Sequence, residues 1–149
     1  MTLTQKEMSL LKDLKDQEQL CIDKYTKHAS CAVDPQLKNL FSQLASAETQ
    51  HLQGLCELEK GTVPQQNGSG NSQMPTFTKY HNSENQDKKN DCYLCTDLLT
   101  GEKGVSSLYN TCIFEFVDEN ARTYLNSIQK QEQNHGKMIY DYMTANAMY

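Results

Sequence analysis

An internal repeat constrains the fold of this chain more than any other feature. The motif Glu-x-x-His occurs twice, at Glu48 and His51 and again at Glu132 and His135, so the two copies lie 84 residues apart. The same offset relates three further pairs of identical residues: Glu18 and Glu102, Tyr25 and Tyr109, and Asp34 and Asp118. A repeat of this length predicts two copies of one supersecondary unit.

Each unit is predicted to be a helical hairpin. Apolar residues recur at spacings of three and four, as on helices packed in a bundle. The predicted helices run over residues 4–32, 35–60, 91–116 and 119–145, with turns at Val33-Asp34-Pro35 and Val117-Asp118-Glu119. Thr4 and Glu7 have the spacing of a capping box at the first helix start. The motif residues fall on the apolar faces and should therefore be buried.

The segment between the hairpins, residues 61–90, has a different composition. Residues 65–72 read as a flexible linker because Gln, Asn, Ser and Gly dominate them. Thirty residues are enough to cross the bundle and leave helices 2 and 3 parallel. We therefore predict an all-α, ferritin-like four-helix bundle in a single domain, residues 1–149, with hairpin 1 at 4–60, the crossover linker at 61–90 and hairpin 2 at 91–145.

Two glycines in the third helix need an explanation. Gly101 and Gly104 flank Glu102, and each costs up to about 1 kcal/mol in a helix interior. A kink or a close helix contact would account for them. Alternatively, the third helix starts only near Glu102 and the residues before it form a separate turn.

Six polar residues on the apolar faces form a candidate metal site. Two helices each contribute one glutamate and the other two each contribute a Glu-x-x-His motif, which is the ligand arrangement of di-metal carboxylate bundles. The predicted ligands are Glu18, Glu48, His51, Glu102, Glu132 and His135. Four buried carboxylates would repel each other unless cations neutralise them, and carboxylate with imidazole suits Fe, Mn or Zn. We expect two divalent ions, with Fe preferred; the alternative is a metal-free hydrogen-bonded layer in which some glutamates are protonated.

Other reactive side chains have simpler interpretations. Tyr25 and Tyr109 lie two turns from Glu18 and Glu102, where they could donate a hydrogen bond or an electron, or serve only as core aromatics. Cys92 and Cys95 form a single Cys-x-x-Cys, whereas a structural zinc site usually needs a second pair. A redox or crosslinking role for this pair stays open.

Composition limits the partners. The net charge is −5, which argues against nucleic acid or an anionic membrane. No apolar run is long enough to span a bilayer, and the first residues lack the apolar region of a signal peptide. The sequence therefore predicts a protein made in the cytoplasm without a signal peptide.

Several short phrases resemble the spore coat F family, over nearly the whole chain. They are Leu3-Thr4-Gln5-Lys6-Glu7, Leu11-Lys12-Asp13-Leu14, Asp34-Pro35-Gln36-Leu37, Ser107-Leu108-Tyr109-Asn110-Thr111 and Tyr140-Asp141-Tyr142-Met143. The resemblance implies a ferritin-like bundle located in the spore coat, with other coat proteins or further copies of the chain as partners.

The ligand pattern is also similar to those of bacterioferritin and rubrerythrin, which implies di-iron chemistry. The chain departs from both families, since it lacks an obvious haem methionine and a rubredoxin module, and its long linker has no counterpart in a storage shell. The sequence therefore supports two alternative functions. One is a structural coat component with a centre able to bind metal, and the other is a di-iron or di-manganese oxidase, peroxidase or oxygen scavenger. Whether the protein is an enzyme is left open.

The metal hypothesis makes a prediction about stability. Glu48→Ala should change the metal-free protein little, or stabilise it, because one buried charge is removed. In the metal-bound protein the same change should cost several kcal/mol through linkage.

Overall fold

The fold consists of four long helices. The computed structural model describes residues 1–65 and 74–149, and within these ranges it contains helices and no strand. The helices are α1 (Gln5–Cys31), α2 (Pro35–Glu59), α3 (Gln86–Glu115) and α4 (Glu119–Ala145). The prediction of a flexible linker falls largely on residues 66–72, which lie outside the described residues. The predicted all-α four-helix bundle is confirmed.

Side-chain caps set the helix starts. The Thr4 hydroxyl accepts a hydrogen bond from the Glu7 amide, and the Glu7 carboxylate accepts one from the Thr4 amide, so the predicted capping box is present. Asp34 caps α2 in front of Pro35. Asn85 caps α3, and this cap explains why α3 begins at Gln86 rather than near residue 91.

The helix α3 runs without a break through Gly101 and Gly104. The alternative of a separate turn before Glu102 is therefore wrong. A β-carbon built on either glycine meets no other atom within 4 Å, so a close helix contact does not explain them either.

Alanine at Gly104 should stabilise the protein by about 0.5–1 kcal/mol, because a helical glycine loses more backbone entropy on folding than alanine. Gly54→Ala is the contrasting variant, since its β-carbon would lie 1.6 Å from the hydroxyl of Tyr124 and should destabilise the fold. Urea unfolding of both variants checks this prediction. A loss of stability in Gly104→Ala would contradict it.

Ion pairs between helices define their directions. Lys6 pairs with Glu115 at 2.8 Å, and Lys24 pairs with Asp97 at 3.0 Å, so α1 and α3 are antiparallel. Residues Glu48 and His51 of α2 contact His135 and Glu132 of α4, respectively, which makes these two helices antiparallel as well.

Two apolar clusters sandwich a polar layer. One cluster contains Tyr25, Phe41, Leu98 and Ile139, and the other contains Leu14, Leu55, Tyr109 and Leu125. All six candidate ligands are at most 5% exposed. The polar groups therefore lie near the middle of the bundle axis, between two layers of apolar side chains.

The repeat extends to the bundle ends. The Glu7 carboxylate accepts a hydrogen bond from the Val117 amide at 3.1 Å, and the Asp91 carboxylate accepts one from the Val33 amide at 2.8 Å. Each acid thus holds the turn of the opposite hairpin, and the two contacts are related by the 84-residue offset. Asp91 also contacts His81 at 2.7 Å, which fixes the end of the linker to the bundle.

Among the residues that the structure describes, none of the helices carries an apolar stretch of the length needed to cross a bilayer.

Candidate metal centre

The structure brings all six candidate ligands to one level of the bundle. They form two groups of four, in which the potential ligand atoms all lie within 4.8 Å of one another. The first group, called the His51 quartet, contains Glu18, Glu48, His51 and Glu132. The second group, called the His135 quartet, contains Glu48, Glu102, Glu132 and His135. Glu48 and Glu132 belong to both groups, as two bridging carboxylates would.

Both imidazoles face the centre through the same nitrogen. The Nδ1 atom of His51 lies 2.8 Å from Glu132 Oε1 and 3.3 Å from Glu48 Oε2. The Nδ1 atom of His135 lies 2.8 Å from Glu48 Oε1 and 3.5 Å from Glu102 Oε1. The rings stack with centroids 5.7 Å apart. The contact of His51 with Glu132 and that of His135 with Glu48 are related by the 84-residue offset of the repeat.

Three carboxylate oxygens at the centre have no partner. Within the part of the chain that the structure describes, Glu18 Oε2, Glu102 Oε2 and Glu132 Oε2 are buried without a hydrogen bond. A buried polar atom without a partner is costly. Unpartnered oxygen ligands beside two inward-facing imidazole nitrogens fit the donor set of a divalent Fe, Mn or Zn ion.

Each tyrosine of the repeat bonds the glutamate of the other hairpin. The Tyr25 hydroxyl donates to Glu102 at 2.5 Å, and the Tyr109 hydroxyl donates to Glu18 at 2.6 Å. Burial, together with the hydrogen bond that each makes to a glutamate, raises the pKa of both phenols well above the usual value. Both tyrosines therefore stay protonated and orient the two glutamates that belong to one quartet each.

Gln131 is a residue of the site that the sequence did not reveal. Its side-chain oxygen accepts a hydrogen bond from His51 Nε2 at 2.7 Å. Such a contact fixes the imidazole orientation and leaves Nδ1 directed at the carboxyl groups of Glu132 and Glu48. The 84-residue offset places Ala47 at the corresponding position, so repetition could not have suggested this contact.

Without metal, the centre holds protons. Burial, followed by the proximity and charge of the Glu48 carboxylate, raises the pKa of Glu18. Burial is also the main reason why the pKa of Glu132 is raised. Burial by itself would raise the pKa of Glu48, but hydrogen bonds from His135 and His51 outweigh it and lower that pKa.

The imidazoles carry charge in this state. Burial alone would lower the pKa of His51, but the hydrogen bond to Glu48 and the charge of Glu48 raise it to about 9. The pKa of His135 is likewise raised, because its contacts with Glu102, Glu132 and Glu48 outweigh burial. Two imidazolium groups therefore share the ionised Glu48 at neutral pH.

The Cys-x-x-Cys pair lies away from the centre. Cys95 is fully buried and Cys92 half-buried, and both thiols are free. Burial raises the pKa of Cys95, which makes it a poor nucleophile. These observations favour a packing role for Cys95.

The second hairpin is similar to a known protein family. The family model of the Coat F domain matches residues 90–149, which contain α3 from its fifth residue onward and all of α4. The match supports the spore coat F resemblance and covers Glu102, Glu132 and His135. Neither the curated proteins nor the solved structures contain a match to the chain.

The Coat F match also bears on location. This domain implies the spore coat, in agreement with the location expected from the sequence, and other coat proteins as partners.

Proposed function

We propose that the protein is a structural component of the spore coat whose bundle holds a di-metal carboxylate centre. The observation that carries the proposal is the pair of quartets that share Glu48 and Glu132, with all ligand atoms of each quartet within 4.8 Å. The Coat F match over residues 90–149 supports the coat assignment.

The directions of the helices support a ferritin-like arrangement. An antiparallel α1–α2 hairpin combined with antiparallel α1 and α3 makes α2 and α3 parallel, which requires a long connection between them. The stretch from residue 60 to residue 85 between these helices is long enough for that crossover.

Glu48 and Glu132, which both quartets share, would hold both divalent ions, and His51 and His135 would each hold one. Glu18 and Glu102 would also hold one ion each, and Tyr109 and Tyr25 orient these two glutamates. The ions would supply Lewis-acid or redox chemistry. The chain's own contribution is to exclude water, fix the ligands and keep both tyrosine protons in place.

Elemental analysis tests the centre directly. Protein purified without chelator, or loaded anaerobically with Fe(II) or Mn(II), should contain about two metal ions per chain. Glu132→Ala should lose most of the metal, because this residue belongs to both quartets. The control His28→Asn changes a histidine that contacts Asp97 outside the centre and should retain metal. A metal-free protein after loading would leave only the hydrogen-bonded polar layer.

A second function is favoured by a cavity that reaches the centre. The cavity is lined by Glu102 and Glu132, and an oxidase, peroxidase or oxygen scavenger needs such an open approach to its metal. Iron-loaded protein would then consume peroxide or oxygen over many turnovers, and Glu132→Ala would not.

Fractionation separates the two functions. A coat component should stay in the insoluble spore fraction, either with other coat proteins or through self-association, even when Glu132 is replaced by alanine. Many turnovers per site in a protein that never enters spores would instead establish the enzyme.

A further inference from the structure

The two halves of the centre differ in their access to solvent. A cavity of about 460 Å³ lies between α3 and α4. Glu132, which both quartets share, lines it, and so does Glu102, which belongs only to the His135 quartet. Of the four residues that belong to a single quartet, Glu102 lines the cavity, whereas Glu18, His51 and His135 do not. The opening therefore leads to the His135 side of the centre.

A glycine accounts for this asymmetry. Gly136 lines the cavity, and the 84-residue offset pairs it with Leu52 in the first hairpin. Likewise Ser106, another lining residue, corresponds to Ile22. Two small residues thus stand where the first hairpin has bulky aliphatic ones. A β-carbon on Gly136 would lie 3.5 Å from Leu99, so larger side chains at this position would extend into the cavity.

The lining suits a small anion. Lys103 and Lys137 line the cavity together with Leu99 and two tyrosines, Tyr140 and Tyr149, whose rings are 4.7 Å apart. Lys137 is paired with Asp141, which leaves Lys103 as the main positive charge. Four ionised glutamates and two divalent ions would cancel each other, so a loaded centre would not repel an anion. The volume is within the range of small-molecule sites.

We propose that a small anion binds in this cavity and reaches from it the metal of the His135 quartet. The His51 quartet is closed to such ligands. The inference rests on the proposed di-metal centre. It adds which of the two metal positions a ligand from solvent reaches, and that this ligand is a small anion. It implies that the two metal positions, although related by the repeat, differ in chemistry.

The test uses protein loaded with Co(II), whose visible spectrum reports its ligands, and azide as the probe anion. Azide should change the spectrum of the wild type at saturable concentrations. Gly136→Leu, which copies Leu52, should weaken azide binding at least tenfold while the Co(II) content stays unchanged. Gly104→Leu, a glycine replacement on α3 outside the cavity, should behave like the wild type. Ser106→Ile, which copies Ile22, provides a second blocking variant if Gly136→Leu does not fold.

The outcomes distinguish this inference from the function on which it rests. Absence of bound Co(II) would overturn both. Full Co(II) content with no azide response, or equal azide binding in the wild type and a folded blocking variant, would overturn the cavity site and leave the metal centre standing.

Discussion

Glu48→Gln should destabilise the metal-free protein by about 3 kcal/mol at pH 7. The ionised Glu48 contacts both His135 and His51, and contacts with buried carboxyl groups keep the pKa of both imidazoles raised. Glutamine keeps the size of the side chain and removes its charge. Breaking a buried charge pair in this way typically costs 3–5 kcal/mol, although deprotonation of the imidazoles limits the loss.

The matched control is Glu18→Gln. Burial raises the pKa of Glu18, so this carboxyl is already neutral in the metal-free protein and glutamine resembles its protonated form. The expected cost is below about 1 kcal/mol. Urea unfolding in the presence of EDTA measures both variants. Equal losses of stability for Glu48→Gln and Glu18→Gln would contradict the assignment of an ionised Glu48 and a neutral Glu18.

This expectation differs from the one based on sequence. A buried glutamate considered without its partners destabilises the fold, so the sequence alone predicted that Glu48→Ala would change the stability of the metal-free protein little or increase it. The structure shows that Glu48 is the acceptor shared by two histidines, and its removal would leave both imidazolium groups short of a counter-charge. The difference arises because spacing along a helix identifies which residues are buried but not which of them carries the charge.

The repeat made the fold and the candidate ligands predictable. Two identical hairpins with polar residues at equal distances from their turns must place those residues at one level. The capping box at Thr4 and the turns at Asp34 and Asp118 were also predictable, because caps and turns depend on residues close in sequence. The start of α3 was misjudged because Asn85 lies in a polar stretch without apolar periodicity.

Contacts between the hairpins were not predictable. The hydrogen bonds from Tyr25 to Glu102 and from Tyr109 to Glu18 join different repeats, and the offset alone does not say whether a tyrosine bonds its own repeat or the other. The contact of Gln131 with His51 breaks the repeat. The cavity at Gly136 likewise depends on a departure from the repeat, visible only when the two halves are compared in space.

The Coat F match has a structural consequence. The matched residues 90–149 form one hairpin and contain Glu102, Glu132 and His135. Each quartet also includes Glu48, which lies outside the match. The centre therefore requires both hairpins, because the second hairpin alone supplies only three of the six candidate ligands.

Metal-free protein should lose stability as the pH rises from 6 to 9. The pKa values of His51, His135, Glu18 and Glu132 are all raised in the folded state, so the folded protein binds more protons than the unfolded one. A raised group stabilises the fold fully below its unfolded pKa, and this contribution is lost as the pH rises towards its folded pKa. For His51 that window runs from 6.5 to about 9, which corresponds to about 3 kcal/mol from this residue alone. The lowered pKa of Glu48 acts in the opposite sense, but its contribution is lost only below about pH 4.5.

Metal should reverse this dependence. The ligands must lose their protons to bind, so affinity for the ions rises with pH, and excess metal stabilises the fold more at pH 8 than at pH 6. Urea unfolding at a series of pH values, with EDTA and with Mn(II), measures both profiles. The double variant with His51→Gln and His135→Gln should reduce the slope of the metal-free profile above pH 6.5, because it removes two of the four groups whose raised pKa values produce that slope. Metal-free protein that is more stable at pH 8 than at pH 6 would contradict the raised pKa values of these groups. Profiles of stability against pH that are parallel with EDTA and with Mn(II) would contradict the binding of metal to these ligands.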